Sequence, residues 1–454
     1  MKKGMFFALA ASSLLFGACS SDDAVVNTTA QNEAVQQLVL QVASSGDGLT
    51  TRAGRPLYSS QALQTIENVR VMIYKNGTDG DKTIVFDKKV DWTSSVNYNT
   101  NGHGRQLTIS LKGNDKLEKG KYTIMAVGYS KNSDYDYKLD ATVVTDATSL
   151  KDKAYKDITA TLKSGKNAAE EVFAGDAAID IDANKEIVTK TTGENGVAVT
   201  LHRQVAGAFG YFKNIPASVD GKVAKTLQLV TRSKNNTLTF NKFNSSFTAT
   251  GTSTKNYIIN GSTTGTAFTA DAKFLSGESA YVLYSINLDA WFPQGDENKD
   301  GLLNVDDSHW THPDGVNTQV VKGSVFAGNF VIPFGLTTGK NTMELQLLDA
   351  NGTIIKTWTV SIPLADLNHD TSNGNVADEN VSIFNVVRNH MYNLGVKPSN
   401  GTVDPEPGKP DPKPNPDPKP DPTNPDKPED LSKGQNLILK VNDNWEAIHQ
   451  MELD

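Results

Sequence analysis

The clearest spacing of potential ligand residues lies in an acidic loop, residues 296–307, which reads DENKDGLLNVDD. Oxygen-bearing side chains stand at loop positions 1, 3, 5, 9 and 12, and glycine stands at position 6, as in twelve-residue calcium loops. The predicted ligands are Asp296, Asn298, Asp300, the Leu302 carbonyl, Asn304 and Asp307. The alternative is an acidic, turn-rich surface loop that binds no metal. Calcium is therefore the one candidate for a bound ion, and no cofactor is required.

The rest of the sequence has no arrangement typical of catalysis. The seven histidines show no HExxH spacing and no evident serine or cysteine partner, and His309 and His312 fit an exposed loop. The stretch from Gly335 to Gly339 lacks the Lys-Ser/Thr pair that holds phosphates in a Walker loop. We therefore expect a protein that is not an enzyme.

Composition narrows the classes of partner. The 454 residues, 37% of them hydrophobic, can support two domains besides the tails. A net charge of −8 argues against nucleic acid, because nucleic-acid binders present basic faces. Beyond the N-terminus, no apolar run approaches the roughly twenty residues of a membrane-spanning helix.

The N-terminus has the features of an export signal. Two lysines precede an apolar stretch, residues 5–16, and Gly17-Ala18 stands directly before Cys19. This is the lipobox pattern, in which Cys19 becomes the acylated first residue of the exported protein. The alternative is an ordinary secretory peptide with an incidental cysteine. Cys19 is the single cysteine, so a disulfide within the chain is excluded.

An exposed Gly/Thr-rich loop around residues 47–56 carries two arginines. Arg55 precedes proline, which most trypsin-like proteases do not accept. Arg52 is followed by the small residues Ala53 and Gly54. The Arg52–Ala53 bond is therefore the better cleavage point for an arginine-specific protease.

The body of the chain alternates apolar and polar residues over short stretches that end at turn residues, which predicts antiparallel strands with one buried face. A first such strand lies within residues 34–45, and Asp349-Ala350-Asn351-Gly352 predicts a hairpin turn. One short helix is predicted where Leu150, Ala154 and Ile158 stand at helical spacing. The expected fold class is all-β, with two tandem β-sandwich domains of transthyretin-like or Greek-key type.

The C-terminus combines a proline-rich spacer with a long alternating strand. Residues 404–430 repeat Asp-Pro and Lys-Pro, and such a segment forms an extended rod of roughly 80 Å at about 3.1 Å per residue. Residues 436–454 alternate with a period of two. The large apolar residues on one face of this predicted strand are Leu437, Leu439, Val441, Trp445, Met451 and Leu453. A strand on such a tether can pair with a neighbouring molecule, whereas the alternative is a last strand of its own sheet.

The order of these parts resembles the fimbrillins, the subunits of Bacteroidales type V pili, and within them the shaft subunit of the minor fimbrium. The resemblance rests on the lipobox, the Arg52-Ala53-Gly54 loop, the Arg388-Asn389-x-x-Tyr392 stretch, the Asp-Pro spacer and the final Trp445-x-x-x-His449 strand. The acidic cluster after Cys19 resembles the surface-export signal of Bacteroidota lipoproteins.

The resemblance implies a precursor that travels as a palmitoylated lipoprotein to the outer-membrane surface through the lipoprotein export machinery. An arginine-specific protease would cut after Arg52 and release the first strand. The vacated groove would accept the C-terminal strand of another copy or of a related pilus subunit. The implied function is a structural fimbrium subunit that supports cell adhesion, with an unidentified receptor.

The alternative function is a surface lipoprotein that binds glycans through its β-sandwiches. Trp291, Phe292 and Trp310 lie beside the acidic loop and could stack on sugars if they are exposed. Packing beneath a long loop is the other interpretation of these aromatics. A binding lipoprotein would keep Cys19 in its mature form.

The expected organisation of the chain follows from these features and from the resemblance. The segments are a signal peptide at 1–18, a propeptide with the displaceable strand at 19–52, β-sandwiches at 53–193 and 194–400, the spacer at 401–430 and the donor strand at 431–454.

Overall fold

The structure is a computed structural model. It describes residues 36–42, 66–77, 80, 82–97, 105–140, 142–164, 166, 169–188, 197–231, 235–241, 247–249, 255–257, 260–261, 281–313, 320–334, 343–361, 386–388, 391–395, 428–433, 437–438 and 440–442.

Short strands make up most of the described chain. The strands up to residue 203 are β1 Gln36–Val42, β2 Asn68–Lys75, β3 Ile84–Asp91, β4 Val96–Asn97, β5 Arg105–Leu111, β6 Gly120–Tyr129, β7 Tyr135–Leu139, β8 Thr142–Val144, β9 Ile158–Leu162, β10 Phe173–Ile181 and β11 Val197–Arg203. The later strands are β12 Ala206–Lys213, β13 Ile215–Pro216, β14 Ser218–Val219, β15 Lys222–Val223, β16 Thr226–Thr231, β17 Thr237–Phe240, β18 Phe247–Ala249, β19 Lys255–Tyr257, β20 Tyr281–Asn287, β21 Leu302–Leu303, β22 Ser324–Val331, β23 Met343–Leu348, β24 Ile354–Ser361, β25 Met391–Leu394, β26 Glu429–Asp430, β27 Leu437–Ile438 and β28 Lys440–Asn442.

Among the residues that the structure describes, helical structure is confined to single turns. The α-helix α1 spans Leu288–Trp291, and two 3-10 turns span Trp92–Ser94 and Gly113–Asp115. Within the described residues, no helix is long and apolar enough to cross a membrane.

The first sandwich consists of two sheets. Sheet 1 has eight strands in the order β3-β2-β6-β10-β11-β1-β5-β4, and sheet 2 has four in the order β17-β9-β7-β8. Sheet 1 buries apolar side chains on both faces, because alternate residues of β2 and β6 enter two different cores. Val71 and Ile124 belong to the core that contains β1, whereas Met72 and Met125 pack against sheet 2.

The second sandwich also consists of two sheets. Sheet 3 has the order β22-β12-β25-β28, with β26 beside the end of β12, and sheet 4 has the order β20-β16-β23-β24-β27. Their facing sides form one core, in which Tyr211, Leu229, Leu345 and Trp358 are buried.

The predicted all-β fold class is confirmed, and the period-two stretches at residues 69–73, 107–111 and 122–126 lie in β2, β5 and β6. The hairpin turn between β23 and β24 is also confirmed, since Asp349 accepts hydrogen bonds from the backbone N–H groups of Asn351 and Thr353. These motifs depend on local sequence, which explains why periodicity and turn chemistry located them.

Two details differ from the sequence-based picture. The short helix predicted through Leu150, Ala154 and Ile158 is wrong, because Leu150 is a buried loop residue whose N–H donates to Asp87, and Ile158 begins β9. The predicted boundary at residue 193 falls between β10 and β11, which are neighbours in sheet 1. The chain passes from sheet 1 to sheet 3 between Arg203 and Ala206.

Candidate functional site

The first strand of the chain lies in the interior of sheet 1. β1 pairs with β5 in antiparallel fashion and with β11 in parallel fashion, so that Leu38 faces Ile109 on one side and Val197 on the other. Two strands that are distant in sequence therefore meet only through β1. Removal of β1 would divide sheet 1 into a five-stranded part that ends at β11 and a two-stranded part, β5 and β4.

The inward face of β1 is enclosed as the sequence predicted. Leu38 and Leu40 have no exposed surface, and they pack with Val199 and Leu201 of β11 and with Leu111 of β5. At about 1.5–3 kcal/mol for each fully buried side chain, these leucines favour an occupied groove. A groove without them would expose a continuous apolar floor to water.

One polar side chain shares this inward face, and periodicity alone did not identify its role. Gln36 is fully buried, and its Nε2 donates to the carbonyl oxygens of Leu117 at 2.8 Å and of Lys185 at 2.9 Å. Its Oε1 accepts from the N–H of Leu117 at 2.7 Å. The sequence signal for this role was an amide at the start of an otherwise apolar face. A polar group buried on such a face requires hydrogen-bond partners.

Replacing Gln36 by leucine should destabilise the uncleaved precursor by about 2–4 kcal/mol, because the backbone groups of Leu117 and Lys185 would lose their partner inside the protein. The matched control is Gln37→Leu, which makes the same substitution at the next residue, whose side chain is only half-buried. Urea unfolding of both full-length variants checks this prediction. Equal destabilisation by the two substitutions would contradict it.

The C-terminal segment lies partly in its own second sandwich. β27 pairs with β24 in parallel fashion, with Leu437 facing Val360, and β28 pairs with β25. Leu437 is 1% exposed, so β27 and β28 correspond to the alternative of a last strand in the chain's own sheets. These pairings span only two and three residues on the donor side.

Several predicted site residues lie outside the described residues. These are Cys19, Arg52, Ala53, Leu439, Trp445, Met451 and Leu453. Val441 belongs to β28 by its backbone. Lipidation, cleavage and the outer part of the donor strand therefore stay predictions.

The acidic loop adopts a closed, hydrogen-bonded form. Asp296 Oδ2 accepts from the N–H of Gly301 at 2.9 Å, and Asp300 Oδ1 accepts from the N–H of Leu302 at 2.8 Å. The side-chain amide of Asn304 and the N–H of Leu302 lower the pKa of Asp300 below its usual value. The Asp300 carboxylate is thus held as an anion by donors of the loop itself.

Asp307, the last of the six predicted calcium ligands, is held by backbone donors of the loop. Asp307 is 1% exposed, and its two oxygens accept from the N–H groups of Glu297 and Asn304, each at 2.8 Å. Among the side-chain atoms of this loop, Asp296 Oδ1 is buried without a hydrogen-bond partner. Within the described chain, no group of three or more His, Cys, Asp or Glu side chains could hold a metal ion. The Asp307 carboxylate is therefore satisfied by backbone donors of the loop, and calcium binding stays a prediction.

Substitution of Asp307 by alanine should lower the thermal midpoint by the same amount with added calcium and with a chelator, because the carboxylate bonds two backbone N–H groups. Hydrogen bonds to a charged acceptor contribute about 1.5–3 kcal/mol each. Thermal unfolding of the parent and the variant under both conditions measures the effect. A calcium response that is present in the parent and lost in the variant would instead identify Asp307 as a ligand.

Two of the three aromatics beside the loop, Trp291 and Phe292, belong to the core and are not a sugar-stacking platform. Trp291 and Phe292 are buried in the second sandwich. Trp310 lies 6.2 Å from Trp291 between ring centroids, and its Nε1 donates to the carbonyl of Ser324 at 2.9 Å. Packing under the loop is therefore the correct interpretation for Trp291 and Phe292.

A cavity of about 410 Å³ lies elsewhere, between sheets 1 and 2. Its wall includes Tyr129 and Tyr137, whose ring centroids are 4.9 Å apart, together with Arg70, Asp146 and Lys163. Burial, followed by the negative charge of Asp146, raises the pKa of Tyr129 to about 12. The hydroxyl is therefore neutral at physiological pH and can donate a hydrogen bond.

No protein-family model and no curated protein matches the sequence. Among solved structures, similarity is found to a candidate adhesin from Bacteroides ovatus, with a TM-score of 0.35 at 15% identity over 71% of this chain and 77% of that chain. The tip fimbrial protein Mfa3 from Porphyromonas gingivalis has a TM-score of 0.32 at 11% identity over 79% of this chain and 93% of that chain. The fimbrial anchor protein Mfa2 from the same organism has a TM-score of 0.31 at 11% identity over 79% and 90%.

The structural neighbours thus include Bacteroidales fimbrial proteins and candidate adhesins, as the sequence resemblance predicted. TM-scores below 0.5 at identities of 11–15% carry no argument about function. The function must therefore be argued from this chain's own residues.

Proposed function

We propose that this chain is a structural subunit of a fimbrium that polymerises by strand exchange and supports cell adhesion. The observation that carries the proposal is the interior position of β1. The chain's first described strand completes a sheet and a core, yet it connects to β2 only through residues 43–67. A cut in this connection would leave β1 held by noncovalent contacts alone.

Cleavage after Arg52 is the proposed trigger. As long as the connection is intact, β1 competes for its groove as an intramolecular partner at high effective concentration. After the cut, β1 becomes a separate peptide attached to the lipidated Cys19, and a strand from another copy can replace it. In this scheme the partners are other copies, related pilus subunits, the lipoprotein export machinery and an arginine-specific protease.

The C-terminal segment, residues 431–454, is the proposed donor. Release of its short pairings with β24 and β25 exposes Leu437, and burial of Leu437 in the acceptor would offset that loss. The proline-rich spacer, residues 401–430, gives the donor enough reach to leave its own sandwich, because proline cannot continue a sheet. The two sandwiches form the body of each subunit.

Substitution of Arg52 by alanine should leave the precursor uncleaved and monomeric at the cell surface, because β1 would remain tethered in its groove. The measurement is the N-terminal residue and mass of the surface protein, together with heat-resistant ladders on denaturing gels. Arg55→Ala is the matched control and should mature normally, with a first residue of Ala53. Normal ladders from the Arg52→Ala variant would refute the trigger.

A second candidate function is glycan binding by a surface lipoprotein, and the cavity between sheets 1 and 2 favours it. Tyrosine rings beside charged and polar groups suit a sugar, which offers an apolar face and several hydroxyls. The same mass measurement discriminates the two functions. A monomer that starts at acylated Cys19 in both the parent and the variant would favour glycan binding over the fimbrium.

A further inference from the structure

The donor segment repeats the sequence of the strand that it would replace. Residues 36–42 read QQLVLQV and residues 435–441 read QNLILKV. The glutamine, both leucines and the valine are identical and alternate along the two segments. The three positions between them keep similar chemistry, with Asn436 for Gln37, Ile438 for Val39 and Lys440 for Gln41.

The identities fall on the side chains that contact the groove. Gln36, Leu38 and Leu40 are fully buried, whereas Gln37 and Val39 between them are half-buried. Val42, the fourth identical residue, is paired through its backbone with Leu201 of β11. The repeat therefore preserves the inward surface and varies the outward one.

We infer that residues 435–441 of a second copy occupy the place of β1 in one defined register and in the same direction. This inference rests on the proposed function, because β1 must first leave. By the pairing of β1, Leu437 of the incoming strand would face Ile109 and Val197, and Leu439 would face Leu107 and Val199.

Gln435 fixes this register. It would take over the three hydrogen bonds of Gln36, with its amide bonding the N–H and carbonyl of Leu117 and the carbonyl of Lys185. A slip by two residues would place Leu437 against these groups and leave them unpaired inside the protein, which is unfavourable. A slip by one would turn the apolar face outward.

The tail offers no second segment with this pattern. No other asparagine or glutamine between residues 436 and 454 is followed by apolar residues at the second, fourth and sixth positions. The inward pattern thus selects one seven-residue window. The remaining residues, 442–454, would extend beyond the site that β1 occupies.

The register can be tested by disulfide formation in the mature protein, which has no native cysteine once Cys19 is removed. Gln37 faces Ser110 in the structure, so Asn436 of the donor should face Ser110 of the acceptor. A chain with Ser110→Cys and a second chain with Asn436→Cys are co-expressed in the producing bacterium. Mild oxidation should yield covalent dimers between the two chains.

The control pairs Ser110→Cys with Lys440→Cys in place of Asn436→Cys. Residue 440 lies four residues beyond residue 436 on the donor strand, about 13 Å away at about 3.3 Å per residue. This pair should not cross-link. A preferred disulfide between Ser110→Cys and Ile438→Cys would overturn the register. A cross-link formed within one chain in the double variant, Ser110→Cys with Asn436→Cys, would overturn occupation by a second copy. Absence of oligomers in the parent chain would refute the proposed function together with this inference.

The role of Gln435 has a separate test. Gln435→Leu should accelerate the thermal loss of the oligomer ladder about tenfold or more, because an unpaired buried polar group is strongly unfavourable. Asn436→Leu makes the same chemical change on the outward face and should alter the rate less than about twofold. Equal rates for both variants, with ladders otherwise normal, would show that Gln435 does not fix the register.

Discussion

Substitution of Glu171 by alanine should destabilise the protein by about 3–5 kcal/mol, because it leaves a buried guanidinium without its counter-charge. Arg203 Nε donates to Glu171 Oε1 at 2.8 Å, and the two side chains are 2% and 6% exposed. Arg203 also lies over the ring of Phe173, 5.0 Å from its centroid. The ion pair therefore joins the end of β11 to the segment that enters β10.

The measurement is urea unfolding of the full-length chain, with Glu118→Ala as the matched control. Glu118 forms an ion pair with Lys185 at 2.6 Å, but its side chain is 70% exposed, and exposed pairs contribute about 0–1 kcal/mol. Replacing both buried partners by methionine should restore part of the lost stability, because no isolated charge would remain. Similar losses from Glu171→Ala and Glu118→Ala would contradict this account of the buried pair.

The fold class and the inward residues of β1 could be predicted because both depend on local periodicity. Alternation places Leu38 and Leu40 on one face wherever the strand lies. The neighbours of β1 could not be predicted in the same way. Its pairing with β5 and β11 depends on contacts across more than sixty and one hundred and fifty residues of chain, between Gln41 and Gln106 and between Leu38 and Val197.

The acidic loop shows a different limit of sequence patterns. The spacing of its oxygen ligands is that of a calcium loop, but spacing does not determine where each carboxylate points. Asp307 turns toward two backbone N–H groups and is thereby satisfied within the protein. Trp291 and Phe292 show a similar limit, since composition does not distinguish an exposed aromatic from one packed under a loop.

The helix predicted from the apolar spacing at residues 150–158 does not form, because tertiary contacts determine the backbone there. Leu150 is buried, but Asp87 accepts its N–H and the chain turns at Asp152, which has a positive φ of 67°. Leu150 and Ile158 thus reach the core from a loop and from a strand, whereas Ala154 between them is exposed. Such short apolar patterns are weak evidence without capping residues.

The backbones of β10 and β11 approach closely at Gly175. A Cβ atom on Gly175 would lie 1.9 Å from the carbonyl oxygen of Thr200, and that oxygen belongs to the backbone and cannot rotate away. Gly175→Ala should therefore destabilise the precursor by about 3 kcal/mol, at the upper end of overpacking effects. Gly128→Ala is the control, because its nearest contact, at 3.0 Å, is the flexible side chain of Ile66.

Gly175→Ala should also affect assembly, because Thr200 is paired with Gln41 of β1 and so forms part of the groove wall. A displaced β11 backbone would lengthen the hydrogen bonds to any strand between β11 and β5, whether β1 or a donor. The thermal midpoint of the uncleaved precursor and the yield of heat-resistant ladders should therefore both fall in Gly175→Ala and stay near parental values in Gly128→Ala. Normal ladders from a destabilised Gly175→Ala precursor would place the donor away from β11 and contradict the shared groove.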